Sequence, residues 1–548
     1  MRAKHRVFQI TKATSEVLTE MHDVTGEFVS YFQLLLGGNN SQRDIDISFL
    51  QQELKHIITQ EEANLLSAPV TRNEIKEAVF DINEDSAPGL GGYTSGFFKT
   101  AWLVVGHAIS EAIGDFFRTR KLLKQVNATL LALVPKVNLP TRVSDYRPIS
   151  YCNVIYKAIT KIIVKRMQRV LHMLIDYSQN AFVPGHSISN NILLTQELLA
   201  GYNQAKLPPR CTLKVDIQKA YDSVEWDFLL EVLKLFNFPP RFIGWIEQCV
   251  TTATFSISLN GYVYGFFKGG RGLRQGDPMS PYLFVLIMEI WSTFLRYRVR
   301  RADHFRYHWK CKEIGILNLC FADDVLLFCK AHIPSIQVLK DSLSEFANLS
   351  GLKVNPTKSQ LILSRAVQQE RQQIIAFLGF QEGSLPVKYL GVPLTSSRLT
   401  IADCRPLINK MDARLAGWNH LNLSYAGRIQ LIRMMGILYG LTGFSTSAYE
   451  TAPYGHLRVQ QGQWNWPSMT DADINEIVSQ LPPTYPTEAD SICWRHSSGR
   501  FTLKLAISMI QLSTPNVIWH DDTLVFCRAA EEQLVLKRIL VVYARASE

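Results

Sequence analysis

Asp216 closes a short apolar stretch, Leu213-Lys214-Val215-Asp216-Ile217. A carboxylate at the end of a buried strand is costly unless it binds a cation. A second acidic feature is Phe321-Ala322-Asp323-Asp324, a pair of carboxylates between apolar runs. Adjacent like charges at a hairpin tip repel each other, and a divalent metal removes that penalty. Hard oxygen donors with no His or Cys beside them make Asp216, Asp323 and Asp324 candidates for Mg²⁺ or Mn²⁺. Between the two lies Gly270-Arg271-Gly272-Leu273-Arg274-Gln275-Gly276-Asp277-Pro278. Glycines let a backbone approach a ligand closely, and arginines beside them suit phosphate. Each feature also has a plainer reading: a solvated turn, a strand-end cap, a surface loop. Their succession, acidic strand end, then Arg-Gln-Gly loop, then acidic hairpin, argues for joint chemistry.

The surrounding pattern supplies elements to carry these groups. Residues 213–217 read as a short strand, and residues 318–320 and 325–328 as strands flanking the acidic tip. Residues 254–260 alternate apolar and polar, Asn260-Gly261 signals a hairpin, and residues 262–267 would return. Further strands are expected at 127–135 and 389–394. Helices are expected at 153–174, 226–236, 336–349, 401–417 and 425–439. Thr71 and Glu74 form the sequence of a capping box. Residues 86–92 form a Gly/Pro loop, and residues 1–70 are helical and amphipathic with a break at Gly37-Gly38. The order is α+β with antiparallel hairpins, not alternating βαβ.

The chain has 548 residues, 47% of them hydrophobic, so it can bury a large core and is not disordered throughout. Its net charge of +10 implies a polyanionic partner. The charge is spread along the chain, which suits a positive groove. The nine cysteines include no CxxC pair and read as reduced intracellular thiols. The apolar run at 279–295 contains Glu289 and is short for a membrane span, so it reads as a buried helix.

In this order the motifs resemble the reverse-transcriptase domain of plant LINE-type (non-LTR) retrotransposons. They are DYRPIS at 145–150, AFVPGHSISNNI at 181–192, KVDIQKAYDSV at 214–224, RGLRQGDPMSPYLF at 271–284, FADD at 321–324, GLKVNPTKS at 351–359 and KYLGVPL at 388–394. The resemblance runs from about residue 70 to about 440. It implies a right-hand polymerase with fingers, a palm with an antiparallel sheet, and a thumb. The corresponding division is a helical segment at 1–70, fingers at 71–210, palm at 211–395, thumb helices at 396–440 and a remnant at 441–548.

The resemblance also implies RNA-directed DNA synthesis on an RNA template and DNA primer from deoxynucleoside triphosphates, inside the cell (nucleus or cytoplasm) and without a membrane. Asp216, Asp323 and Asp324 would be the catalytic metal ligands. Tyr221 matches the aromatic under the nucleotide sugar, with a core aromatic as the plainer reading. Arg274, Gln275 and Gly276 match the loop beside the nucleotide, and Arg147 and Lys157 match positions near its triphosphate. Lys358 matches a general acid toward pyrophosphate, or is a surface lysine. Asp222 and Asp277 read as structural turn and capping groups.

The chain departs from the family at Gly91, His186 and Asn190, where aspartate, arginine and aspartate are common. After about residue 440 the usual connecting region is shortened and a closing Cys/His cluster is missing. Those departures point to a truncated element, and keep open a catalytically impaired nucleic-acid-binding relic as the alternative.

Overall fold

The computed structural model describes residues 6–38, 45–397, 400, 402–406 and 409–410, and two short strands at 458–460 and 463–465. The chain divides into two compact units, residues 1–390 and residues 391–548.

In the first unit the elements that matter for function are these, in chain order. Helix α1 is Met21–Leu36, strand β1 Ala128–Pro135, β2 Tyr146–Tyr151, helix α2 Val154–Leu174 and α3 Ile188–Leu199. Strand β3 is Arg210–Val215, β4 Thr254–Leu259, β5 Tyr262–Lys268, and helix α4 Ser280–Arg300. Strand β6 is Asn318–Phe321, β7 Asp324–Lys330, helix α5 Ile333–Ser350, β8 Gln360–Leu363 and β9 Gln381–Glu382.

The strands form two sheets. The five-stranded sheet has the order β9-β8-β3-β7-β6. Its pairings are antiparallel apart from β8 with β9. The four-stranded sheet has the order β2-β1-β4-β5, with a parallel pairing of β1 and β4 at its centre. The β4–β5 turn has positive φ at both Asn260 and Gly261, the twist that joins two adjacent strands tightly.

Helix α4 is buried on almost every side, as an apolar run with no polar face requires. Together with α2, α5 and the inner face of the five-stranded sheet it makes the main core. A second, smaller core lies between α1 and the four-stranded sheet, where Val24, Phe28, Phe32 and Leu36 meet Leu131, Phe255, Ile257 and Phe267. The Thr71–Glu74 capping box forms as expected, and Thr59 with Glu62 forms another. Among the described residues no helix is long and apolar enough to cross a membrane.

Four expectations change. The segment 1–70, expected to be helical, also carries a short antiparallel pair, Ile10–Thr11 with Val17–Leu18. The strand expected at 213–217 runs from Arg210 to Val215 and ends before Asp216. The strand expected at 389–394 is broken at Leu390-Gly391, both of which adopt positive φ. The acidic-tip strands are longer than their apolar runs, because Asp324 and Lys330 take part in the ladder. In the second unit the described elements are Val392–Leu394, helical residues 402–406 and 409–410, and the antiparallel pair Arg458–Gln460 with Gln463–Asn465. The helix expected at 425–439 lies outside the described residues, as does most of the one expected at 401–417.

Candidate active site

Strand pairing brings the three carboxylates together. Val215 at the end of β3 faces Val325 in β7, so Asp216, the next residue, leaves the sheet beside Asp324. Phe321 faces Asp324 across the β6–β7 hairpin, which leaves Ala322 and Asp323 as its two-residue tip. Ala322 sits at a φ of 53°, the left-handed conformation that so tight a reversal needs.

Asp323 and Asp324 are open to solvent at the tip, and Asp216 is half-buried. Both hairpin carboxyls are held above the usual range for aspartate. Although both residues are exposed, the protein packed around the tip thins the water about their carboxyls, which is the largest cause; repulsion adds to it, Asp216 acting on Asp323, and both Asp323 and Asp216 on Asp324. Arg147 opposes the shift at Asp323, and Lys214 at Asp324.

The tip is braced from the segment before α3. Gln179 Oε1 accepts the Ala181 and Ala322 amides at 3.0 and 3.2 Å. The Cys320 amide donates to the Ser178 carbonyl at 2.7 Å, and Asn191 Nδ2 donates to the Cys320 carbonyl at 2.8 Å. Asp216 is held by the turn before β8. Its amide donates to Ser359 Oγ at 3.0 Å, and its carbonyl accepts the Asn355 amide at 2.8 Å.

Among the described residues no three His, Cys, Asp or Glu side chains are arranged to hold a metal ion by themselves. Mg²⁺ does not require such a cage, because it keeps waters and takes substrate phosphates beside one or two carboxylates. The all-oxygen donor set and the mutual repulsion of the carboxylates fit an ion of that kind.

Tyr221 stands at the edge of this group. Its ring stacks on Phe284 of α4, with centroids 4.7 Å apart and planes 22° apart, and it is half-buried. Burial raises its phenol pKa, and the Asp323 charge adds to the shift. Tyr221 is therefore both packed against the core and within the field of the acidic tip.

The glycine-rich loop is stitched to what surrounds it. The Leu273 amide donates to the Tyr221 carbonyl at 2.6 Å, and the Ser150 amide to the Gln275 carbonyl at 2.7 Å. Gln275 Nε2 donates to Asp222 Oδ1 at 3.0 Å. Gly276 has a φ of 106°, and a Cβ there would lie 3.0 Å from the Ser150 carbonyl oxygen. Asp222 is buried, and desolvation pushes its pKa up to about 6 against the pull of Gln275, Lys219, Lys136 and Arg147.

The cations divide into two classes. Arg147 is exposed on β2, and its charge is felt by both Asp222 and Asp323. Lys136, Lys219 and Lys358 share this neighbourhood. Desolvation lowers the Lys136 pKa first, and the charges of Lys219, Arg147 and Lys358 lower it further. Lys358 itself is exposed on the turn before β8. Lys136 and Lys219 escaped the sequence reading, as did Gln179. The only local signal for Lys136 was its place at the end of an apolar strand.

Two expected nucleotide contacts are elsewhere. Arg274 is buried, and Nη1 donates to Asn127 Oδ1 at 2.8 Å and Thr129 Oγ1 at 3.0 Å. Its Nη2 donates to the Cys249 carbonyl at 2.7 Å and to the Tyr156 hydroxyl, and Asp277 lies 3.6 Å from Nε. Both terminal nitrogens of this buried guanidinium are thus spent on protein acceptors. Lys157 is also buried, and its ammonium donates to Ser86 Oγ at 2.9 Å and the Ala87 carbonyl at 3.0 Å, anchoring the Gly/Pro loop.

Asp277 is the expected turn group, accepting from the Met279 amide at 3.0 Å and from the Tyr156 hydroxyl at 2.6 Å. The Gly91 amide donates to Asn153 Oδ1 at 3.0 Å. His186 lies 2.7 Å from the Gln179 carbonyl and stacks on Tyr177, so it belongs to the hairpin brace.

A family profile described as reverse transcriptase (RNA-dependent DNA polymerase) matches residues 134–394, which include all three carboxylates. The Transposon TX1 uncharacterized 149 kDa protein of Xenopus laevis is 26% identical over 346 residues, 63% of this chain and 26% of that protein. The Pol polyprotein of the type-2 retrotransposable element R2DM of Drosophila melanogaster is 23% identical over 325 residues, 58% of this chain and 29% of it. An uncharacterized mitochondrial protein of Arabidopsis thaliana is 53% identical over 66 residues, 12% of this chain and 54% of that protein. The chain thus spans 26% and 29% of the length of the first two relatives.

Proposed function

We propose that the chain is a reverse transcriptase of the LINE-type (non-LTR) retrotransposon kind, an RNA-directed DNA polymerase extending a DNA primer on an RNA template. The observation that carries the proposal is the convergence of Asp216 with the Asp323–Asp324 tip across one strand pairing, with repulsion between carboxylates that a bound cation would relieve. In this reading the five-stranded sheet is the palm and the four-stranded sheet part of the fingers.

Mg²⁺ or Mn²⁺ held by Asp216, Asp323 and Asp324 would lower the pKa of the primer 3′-hydroxyl and offset charge on the departing pyrophosphate. The chain's own groups supply position. Arg147, Lys136 and Lys219 form the cationic side of the cleft, where a nucleoside triphosphate sets its phosphates. Lys358, exposed and near enough for its charge to act on Lys136, would give a proton to pyrophosphate. Gln275 is oriented by Asp222, and Gly276 lets the backbone lie close to the nucleotide and template. Tyr221 lies under the sugar, held there by Phe284. The enzyme acts inside the cell, in nucleus or cytoplasm, where its RNA template is found.

The test is primer extension by the purified chain on an RNA template with Mg²⁺. We expect extension by the wild type and its loss in Asp323→Asn, by on the order of a hundredfold or more. Template binding should survive the substitution. Near-normal extension by the variant would overturn the ligand assignment. Template binding without extension by the wild type would favour the impaired relic.

A further inference from the structure

Helix α1 lies outside the residues that match the reverse-transcriptase profile, yet its C-terminal end meets the site. A helix leaves its last carbonyls unpaired, and they carry partial negative charge. The last turn of α1 contains no basic residue of its own. The missing cation comes from the glycine-rich loop: Arg271 Nε donates to the Leu35 carbonyl at 2.8 Å and Nη2 to the Leu34 carbonyl at 3.2 Å. The Gly270 and Arg271 amides both donate to the Leu36 carbonyl, at 2.8 and 3.2 Å. The approach is so close that a Cβ on Gly270 would stand 2.0 Å from the Gly37 carbonyl oxygen. Arg271 is thus a cap for a helix more than 200 residues away in sequence.

A second contact joins the same helix to the other side of the site. The Lys219 ammonium sits over the Tyr31 ring, 4.6 Å from its centroid. Lys219 has a φ of 46° at the start of the short turn that carries Tyr221 and Asp222. Its charge reaches both Asp222 and Lys136. An ammonium over an aromatic face is favourably placed without losing its remaining donors. The Tyr31 ring therefore holds Lys219 while leaving it free to meet an anion.

We propose that α1 is a positioning element of the nucleotide site: its C-terminal carbonyls and Arg271 fix the loop carrying Gln275 and Gly276, and Tyr31 aims Lys219 at the triphosphate of an incoming nucleotide. The proposal rests on the polymerase reading for the identity of the ligand. Arg271 and Tyr31 are positioning residues and touch no substrate. Tyr31 acts through its ring face, so phenylalanine serves in its place and leucine does not. Arg271 acts through a fork that spans two carbonyls, which no alanine supplies.

The test measures deoxynucleotide affinity in a complex of the full chain with an RNA template and a dideoxy-terminated primer, which needs no turnover. Tyr31→Leu should weaken nucleotide binding about three- to tenfold, the scale of one cation–π contact. Tyr31→Phe should bind like the wild type. Arg271→Ala should weaken binding and speed amide hydrogen exchange at Leu273 and Ser150, whose bonds fix the loop. Val29→Ala serves as control, because Val29 is in the same helix and faces Gly265 of β5. It should change neither readout. Equal losses in Tyr31→Leu and Val29→Ala, or none in Tyr31→Leu, would overturn the proposal. Absence of nucleotide binding by the wild type would overturn it together with the polymerase reading. A wild type that binds nucleotide but does not extend an unblocked primer would sink the polymerase reading alone.

Discussion

Tyr221 carries two duties that are usually separate. Its ring is part of the packing around α4, and its hydroxyl edge lies in the field of Asp323. A ring fixed by a stacked phenylalanine is a rigid wall, and a rigid wall can reject an extra hydroxyl by sterics alone. Tyr221→Ala should therefore raise the ratio of kcat/KM for ribonucleotides over deoxyribonucleotides by roughly 10- to 100-fold while metal-dependent extension persists. Steady-state kinetics with paired nucleotides would check this. Equal losses for both sugars would show that the ring only packs. The cations teach a related lesson. Arg147 and Arg274 are chemically identical, yet one is exposed beside the carboxylates and the other is spent on buried acceptors.

The element that holds the acidic tip in place is the segment leading into α3. Its own anchor is Glu289 of α4, whose Oε2 accepts the Asp176 amide at 3.0 Å and whose Oε1 lies 3.1 Å from Arg296. Asp176 in turn pairs with Lys55. Burial pushes the Glu289 carboxyl up to about 7, with Asp176 adding to the rise, and Arg296 and the Asp176 amide opposing it. A folded pKa above the unfolded one means that the fold favours the protonated acid. Stability from this group is complete below about 4.5, its ordinary value, and is lost as pH rises through 7. Glu289→Gln mimics the protonated form. The variant should gain on the wild type between pH 5 and 8, by on the order of 1–3 kcal/mol, read as denaturant midpoints at each pH. A difference that does not change with pH would remove Glu289 as a titrating group in the fold.

At the scale of the whole molecule the net charge of +10 has to be located. Several cations are already paired with carboxylates, among them Arg298 with Glu345 and Lys310 with Glu197. Arg147, Lys136, Lys219 and Lys358 instead gather near Asp222 and one another. A primer–template bound beside these cations should release counterions as it binds. Its log Kd should rise with log salt with a slope of about 3 or more, as for three or four neutralised phosphates. Filter binding over a range of NaCl concentrations would show it. A flat plot would place the surplus charge away from any nucleic-acid groove.

By itself the sequence determined what depends on neighbours in the chain. The Asp216 strand end, the Asp323–Asp324 tip, the Asn260-Gly261 hairpin and the buried helix over α4 all follow from periodicities of 2 and 3.6 and from turn chemistry. The convergence of the carboxylates was legible only through the succession of motifs, since it rests on the pairing of Val215 with Val325 across more than a hundred residues. Tertiary structure alone decided which cations come near the acidic residues. It turned Arg274 and Lys157 inward, brought Lys136 and Lys219 to Asp222, and set Gln179 under the hairpin. It also attached α1 to the glycine-rich loop through Arg271. The reason is physical: a side chain's charge is fixed by its type, but its partners are fixed by packing between segments distant in sequence, and local periodicity carries no record of those distances.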